Sequence, residues 1–309
     1  MRVAVVLLLG LLGAGGSGCS RALDVARGSL EKIHLPSIRA RKLGSSRSSR
    51  AGERIVRRAI EAYGGRRYWE RLEGVELKMV WKEYVGGQVD ENPALVQLRP
   101  GSPPQLRIHF EKLDHVYGLG DQDAWVTIRG EPDRNPDFVA QAKYTCTVLS
   151  FLLSLPFNLT DPGLIIRSAE SRPFAGAIYD VVTIGFTGAG YPWPDDTLQL
   201  WLHQANARLD RCFLISTAES SGFGPPPNYI LIQWSNHSQE AGVPLPRTWS
   251  YFRAEPDGTL KEKMFDIEVE SALGNRSFMP VLFRLPEVAP PPVRRTTPAV
   301  GPQPAPARP

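Results

Sequence analysis

The sequence predicts a mostly β protein with some α-helix, an α+β fold built on one large, curved antiparallel sheet. Apolar and polar residues alternate in many short segments, for example Phe265, Ile267 and Val269 against Asp266 and Glu268. This period of two is typical of strands that bury one face. Residues 51–284 are enough for one domain with a large core, and helix-like patterns interrupt the alternation in two places.

The first helix-like pattern opens the domain. From Ala51 to Tyr63 the apolar residues recur every three or four positions, with arginines on the opposite face. Gly64 and Gly65 then end the helix, because glycine readily adopts the backbone of a C-cap. Arg66 to Leu72 predicts a second short helical turn that places Tyr68, Trp69 and Leu72 against the same core.

Strands follow, and we expect about ten or eleven of them, joined by short turns. Five segments alternate clearly: 75–82, 106–110, 198–202, 230–234 and 265–269. Further strands are predicted at 94–99, 114–119, 123–129, 179–186, 208–217 and 246–253. Such a series of half-buried strands predicts one continuous antiparallel sheet.

The second helix-like pattern lies in the middle of the chain. Residues 136–155 are long and apolar enough for a helix buried against the sheet, and Pro156 ends it. The loop that follows contains Asp161, Pro162 and Gly163, the strongest turn signal in the chain.

The N-terminus has the pattern of a secretory signal. Residues 1–19 join Arg2, an apolar run from Val3 to Leu12, and small residues that lead to Cys19. The pattern resembles the lipobox of bacterial lipoproteins, with Gly16 where that family usually has leucine, and implies that Cys19 is acylated, with palmitate as a typical chain. An uncleaved membrane anchor and ordinary secretion with an incidental Cys19 are the alternatives.

Two arms flank the domain and carry the positive charge. Residues 20–50 hold eight Lys or Arg against two acids and predict a flexible basic linker, while the Pro-rich residues 286–309 predict a disordered tail. The formal net charge of the chain is +4, so residues 51–284 carry −5 once both arms and Arg2 are subtracted. A nucleic-acid-binding domain needs a basic folded face, so that class of function is excluded.

Several short motifs in residues 51–285 resemble the lipoprotein-sorting and carrier family of LolA and LolB, in an uncharacterised branch of membrane-anchored lipoproteins. They are the segment from Ala59 to Gly65 with Trp69 and Leu72, the segment from Leu155 to Gly163, Tyr179 to Val182, and Pro194 to Asp196. The resemblance implies a half-open antiparallel β-barrel covered by helices. It further implies a cavity between sheet and helices that takes an acyl chain or another apolar ligand.

Large apolar side chains at the strand and helix positions are the candidates for lining that cavity. They are Trp81, Phe110, Trp125, Phe138, Phe151, Leu152, Leu200 and Trp234. An open apolar gap in a sheet either collapses or accepts a guest, and burial contributes about 0.8 kcal/mol per methylene. We expect a monomer in the bacterial envelope, anchored by lipid at the outer membrane and facing the periplasm. Its partners would be that membrane, an apolar lipid or acyl ligand and, through it, lipoproteins.

The remaining chemistry-bearing residues give no catalytic or metal site, and no cofactor is expected. Cys146 and Cys212 either form one disulfide or remain two separate buried thiols. The histidines show no metal-ligand spacing; they are His34, His109, His115, His203 and His237. Two other functions stay open: a hydrolase whose residues the sequence does not reveal, and a scaffold that docks a protein partner through exposed Trp193 and Trp201 and the proline tail.

Overall fold

The computed structural model describes residues 48–286 except 86, 102, 122, 188–195, 217–227 and 257–258. Cys19, the basic linker up to residue 47 and nearly all of the Pro-rich tail lie outside the described residues. Within the described ranges the chain forms three α-helices, two short 3-10 helices and thirteen strands. No helix in those ranges is both long and apolar enough to cross a bilayer.

Helices α1 (Arg50–Ala62) and α2 (Arg66–Arg71) follow the predicted pattern. Ser49 caps α1 by accepting a hydrogen bond from the Gly52 amide, and its own amide donates to Ile166 O. The helix buries Val56, Ala59 and Ile60 and ends before Gly64 and Gly65, whose φ angles are +96° and +84°. Those backbone angles explain why two glycines stand at this turn.

The thirteen strands form one sheet. They are β1 Val75–Val85, β2 Gln88–Arg99, β3 Gln105–Phe110, β4 His115–Leu119, β5 Ala124–Ile128, β6 Glu131–Asp133, β7 Leu164–Phe174, β8 Ala177–Phe186, β9 Thr197–His203, β10 Leu209–Ser216, β11 Asn228–Ser238, β12 Leu245–Ala254 and β13 Leu260–Leu273.

The sheet is antiparallel throughout and open, with β6 and β7 as its two edges. Its order is β6-β5-β4-β3-β2-β1-β13-β12-β11-β10-β9-β8-β7. Successive strands are neighbours except where β6 leads through helix α3 (Pro136–Leu153) to β7, so α3 connects the two edges. The predicted fold class, a half-open antiparallel sheet covered by helices, is confirmed.

Two strands were missed by the sequence prediction, which gave about eleven. β6 is three residues long and includes Pro132, and β7 is an edge strand whose burial does not alternate regularly. An edge strand has a neighbour on one side, so its sequence carries a weaker pattern.

The main core lies between the inner face of the sheet, defined as the face that α3 covers, and the three helices. Alternate residues of β1 from Val75 to Trp81 and of β2 from Ala94 to Leu98 belong to it. A second, smaller cluster occupies the opposite, outer face across β8–β12. It consists of Tyr179, Val181, Trp201, Phe213, Leu231 and Ala254.

Candidate functional site

Helix α3 is the element that decides how much space the inner face leaves. It packs most closely against β3, β4 and β5. On its other side, towards β8–β13, side chains bridge a wider separation and leave two small apolar slots. The inner face is therefore tightly covered on one side of α3 and incompletely filled on the other.

The two slots lie on either side of Val148 and Leu152, which line both. The first, of about 30 Å³, lies between α3 and β1, β10, β11, β12 and β13 and is bordered by Trp81 and Tyr251. The second, of about 40 Å³, lies towards β8–β11 and is bordered by Phe151 and Leu198. A cavity of about 150 Å³ is what admits one benzene molecule, so neither slot holds an acyl chain unless α3 moves.

A closing cluster seals the region where α1, α2 and the 3-10 helix Phe157–Thr160 meet the sheet; we define it as Tyr63, Tyr68, Trp69, Phe157 and Trp249. The Trp69 ring stacks on Phe157 with centroids 4.8 Å apart, and the Tyr63 ring meets Phe157 edge-on at 6.2 Å. The gap that remains beside these rings measures about 20 Å³.

Three side chains of the closing cluster have hydrogen-bonded polar atoms. Tyr63 accepts from Leu209 N at 3.2 Å, and Tyr68 donates to Ala241 O at 3.2 Å. Trp249 Nε1 donates to Pro246 O at 2.9 Å. Burial raises the pKa of Tyr63 to about 12, so its hydroxyl stays protonated at neutral pH.

Three other buried polar side chains, two on the inner face of the sheet and one on α3, lack hydrogen-bond partners among the described residues. Trp81 Nε1, both polar atoms of the Asn92 amide and Thr145 Oγ have no hydrogen-bond partner in the described part of the chain. Their residues are 2%, 1% and 3% exposed. We call Trp81, Asn92 and Thr145 the unpaired polar group.

Sequence reasoning missed Asn92 and Thr145. Asn92 lies directly opposite Trp81 in the β1–β2 pairing, and its burial continues the alternation of Ala94, Val96 and Leu98. An amide at an apolar position of an alternating strand is the signal that could have identified it. Thr145 gives no such signal, because α3 is apolar on nearly all sides.

Two carboxylates lie on the same face of β1 and β2, next to Trp81 and Asn92. Glu83 and Asp90 are cross-strand partners one step beyond Trp81 and Asn92. Burial, and then the nearby Asp90 charge, raise the pKa of Glu83 from 4.5 to about 7. Asp90 pairs with Lys112 Nζ at 2.5 Å, and both side chains are about half exposed.

Four of the eight predicted lining residues border a slot or the gap beside the closing cluster, and two more are packed in the main core. Trp81 borders the first slot, Phe151 the second, and Leu152 both; Trp234 borders the gap beside the closing cluster. Phe110 meets Trp81 edge-on at 5.4 Å, and Leu200 is fully buried in the main core. The structure places these six in or against the main core between the sheet and α3. That a ligand touches them stays a prediction.

Phe138 and Trp125 are placed differently. Phe138 lies in the first turn of α3, partly buried, and borders neither slot. Trp125 does not line the inner face as predicted, because it lies on the outer face of β5. Its neighbour Val126 belongs to the main core, and the Trp125 ring covers Gly118. Trp125 Nε1 donates to Phe283 O at 3.1 Å, so the 3-10 helix Pro280–Phe283 buries β5 from outside.

The two cysteines are free and fully buried, so of the two alternatives the structure shows separate thiols rather than a disulfide. Cys146 lies on α3 and Cys212 on β10. Burial raises the pKa of both thiols far above the usual 9, which disfavours the thiolate that disulfide formation requires.

Trp201, predicted as an exposed docking residue, is 3% exposed, and this prediction was wrong. Phe174 and Tyr179 pack on its ring, and the Arg172 guanidinium lies 5.7 Å from its centroid. A large aromatic on an outer face is thus covered by its cross-strand neighbours. Trp193 lies outside the described residues.

Metal chemistry finds no support in the ranges that the structure describes, where no three His, Cys, Asp or Glu side chains are grouped to hold an ion. His109 and His203 are partly buried on strands β3 and β9. His115 is buried, and burial lowers its pKa below the usual 6.5.

Comparison with solved structures supports the fold. A DUF1329 family protein from Desulfovibrio piger superposes with a TM-score of 0.51 at 10% identity, over 77% of this chain and 98% of that one. A LolA superfamily protein from Nitrosomonas europaea gives 0.49 at 10% identity over 76% and 97% of the two chains. A domain named for outer membrane lipoprotein sorting, from Vibrio parahaemolyticus, gives 0.47 at 11% identity over 75% and 100%.

At these identities the likeness concerns the fold alone, and the two TM-scores below 0.5 add nothing to it. No family model and no curated protein sequence matches the chain. The half-open sheet with helices that the LolA/LolB resemblance implied is confirmed.

Proposed function

We propose that this chain is a non-catalytic binding protein of the bacterial envelope that holds an acyl chain or similar apolar ligand between α3 and the inner face of the sheet. Lipid or lipoprotein sorting is the role that such binding would serve. The observation that carries the proposal is the asymmetry of α3, which is tightly packed against β3–β5 and leaves two adjacent apolar slots on its other side.

Binding requires α3 to move, because the slots are too small for a chain as they stand. Val148 and Leu152 separate the two slots, so a modest shift of the helix away from β8–β13 would merge them into one groove. Each methylene of the ligand that then enters contributes about 0.8 kcal/mol, which offsets the apolar contacts that α3 gives up.

The direct test is uptake of Nile red, a neutral dye that fluoresces in apolar surroundings, by the purified and delipidated full chain. Val148→Trp fills both slots and should weaken uptake at least about ten-fold, because several methylene equivalents of burial are lost. Val139→Trp is the matched control, since Val139 lies on α3, partly buried, and borders neither slot.

Three outcomes decide the matter. Loss of uptake in Val148→Trp alone supports the groove. Equal uptake by both variants and the unchanged chain would mean that the dye binds elsewhere, and the groove proposal fails. Absence of uptake by the unchanged chain favours the scaffold alternative, because the inner face would then be core.

The membrane attachment is part of the proposal and has its own test. Acylation of Cys19 would hold the domain at the outer membrane through the basic linker, facing the periplasm. Metabolic labelling with a fatty acid should mark the unchanged chain and not Cys19→Ala, and the variant should leave the membrane fraction. A variant that stays in the membrane would point to an uncleaved N-terminal anchor instead.

A further inference from the structure

The unpaired polar group indicates what kind of ligand the groove takes, an inference that rests on the proposed function. A buried polar atom without a partner costs about 1–3 kcal/mol, and most such atoms in folded proteins are paired. Three neighbouring side chains in this state, on the inner face of one sheet and the helix that covers it, are unusual for a core with no other role.

Their geometry places them at the same site. Trp81 and Asn92 are direct cross-strand partners on the inner face, a position that brings side chains within contact. Trp81 and Thr145 border the same apolar slot from opposite sides, one on β1 and the other on α3. Trp81 and Asn92 belong to the sheet and keep their places when α3 moves.

The hydrogen-bond donors and acceptors of these three side chains indicate which polar groups the ligand must carry. Trp81 Nε1 can only donate, the Asn92 amide donates through nitrogen and accepts through oxygen, and the Thr145 hydroxyl does either. A hydrocarbon satisfies none of them. An ester carbonyl accepts from Trp81, whereas an amide also supplies an N–H for Asn92 Oδ1.

The charged side chains near the groove narrow the class of ligand further. No Lys, Arg, Asp or Glu borders the first slot. The acidic residues near the groove are the buried Asp196, which borders the second slot, and Glu83 and Asp90 on the same sheet face as Trp81. Lys112, the cation paired with Asp90, is about half exposed. An anionic head group would meet carboxylates without a buried cation to balance it.

We propose that the ligand is an uncharged acyl compound, an amide or ester, whose carbonyl oxygen accepts a hydrogen bond from Trp81 Nε1 and whose polar group is completed by Asn92 and Thr145. The acyl chain runs between α3 and β8–β13, and the carbonyl lies at the β1–β2 side of the groove.

Competition with Nile red on the full chain tests this with four compounds of equal chain length: decanamide, methyl decanoate, decanoate and decane. Decanamide should displace the dye at about ten-fold lower concentration than decane, which corresponds to one or two net hydrogen bonds. Methyl decanoate should fall between them, and decanoate should gain nothing over decane.

The variants Trp81→Phe and Asn92→Leu should each remove most of the advantage of decanamide while decane still competes as before. Trp125→Phe makes the same chemical change on the outer face and should keep the advantage. Equal displacement by all four compounds, or an unchanged ratio in Trp81→Phe, overturns the assignment while the groove stands. If the unchanged chain takes up no dye, the proposed function fails first and the ligand assignment with it.

Discussion

The closing cluster and the unpaired polar group both lie between the helices and the inner face of the sheet, and both contain aromatic side chains. They differ in whether their polar atoms have hydrogen-bond partners. In the closing cluster Tyr63, Tyr68 and Trp249 each have a backbone partner at 3.2 Å or less. In the unpaired polar group Trp81, Asn92 and Thr145 have none. Trp234, which borders the closing cluster, is an exception there, because its Nε1 is also unpaired.

Under the proposed function, the difference separates residues that stabilise the fold from residues that bind the ligand. Hydrogen-bonded buried groups stabilise a fold, whereas unpaired ones destabilise it and are retained where they serve another purpose. Mutations in the two regions should therefore change the free energy of unfolding with opposite signs. Four substitutions test this comparison.

The largest effect is expected at the centre of the closing cluster. Phe157 is fully buried between Trp69 and Tyr63, so Phe157→Ala should lower the free energy of unfolding by about 3–5 kcal/mol through the cavity it leaves. Urea denaturation measures it, with Phe138→Ala, at a partly buried site, as the milder control. Equal losses at both positions would contradict the role given to the cluster.

Tyr63→Phe removes one hydroxyl and leaves the Leu209 amide inside the core without its partner. We expect the free energy of unfolding to fall by about 1–3 kcal/mol. A neutral result would show that the Leu209 N–H finds another acceptor, and the contrast between the two regions would weaken.

Asn92→Leu should act in the opposite direction. It replaces an amide whose two polar atoms lack partners by an apolar side chain of similar size, so the free energy of unfolding should rise by about 1–2 kcal/mol. Urea denaturation of the ligand-free chain measures the change. A decrease like that of Tyr63→Phe would mean that the Asn92 amide has hydrogen-bond partners, and Asn92 would not belong to the unpaired polar group.

The last effect concerns pH. The pKa of Glu83 is raised to about 7 in the folded chain, against 4.5 in the unfolded one, so between these values the unfolded chain releases the proton first. This group therefore lowers the free energy of unfolding as the pH rises from about 4.5 to about 7, and keeps it lowered above that range.

Glu83→Gln should accordingly be more stable than the unchanged chain at about pH 8 and indistinguishable from it at about pH 4. Denaturation curves at the two pH values measure the difference, with Glu131→Gln, an exposed change on the edge strand β6, as control. A gap that widens as the pH falls would contradict the direction given for the pKa of Glu83.

Much of the fold followed from the sequence because each signal was local. Two helices and eleven strands were predicted near their observed places, since periods of 3.6 and 2 record which side of an element is buried. Helix α3 was predicted from apolar length alone, because a helix buried on most sides has no polar stripe. β6 and β7 were not predicted, because the sequence of an edge strand alternates less regularly between apolar and polar residues.

The candidate site was predicted less well from the sequence than the fold was. Apolar alternation identified Trp81 as an inner-face residue, and the apolar run of α3 identified Phe151 and Leu152. Alternation placed Trp125 on the wrong face, because β5 is buried on both sides by α3 and by the segment that ends at Phe283. It also took Trp201 as exposed. Both errors have one cause: a period-two pattern does not say what covers the second face.

The sequence by itself determined the class of fold, the order of its elements and the acidic domain between two basic arms, because composition and periodicity are properties of neighbouring residues. Only the tertiary structure decided that α3 connects the two sheet edges and leaves slots on one side. It also decided that Cys146 and Cys212 remain separate thiols. It decided too that Trp81 and Asn92 are cross-strand partners whose polar side-chain atoms lack hydrogen-bond partners within the described ranges. Those facts depend on contacts between residues far apart in the chain, which no local pattern records.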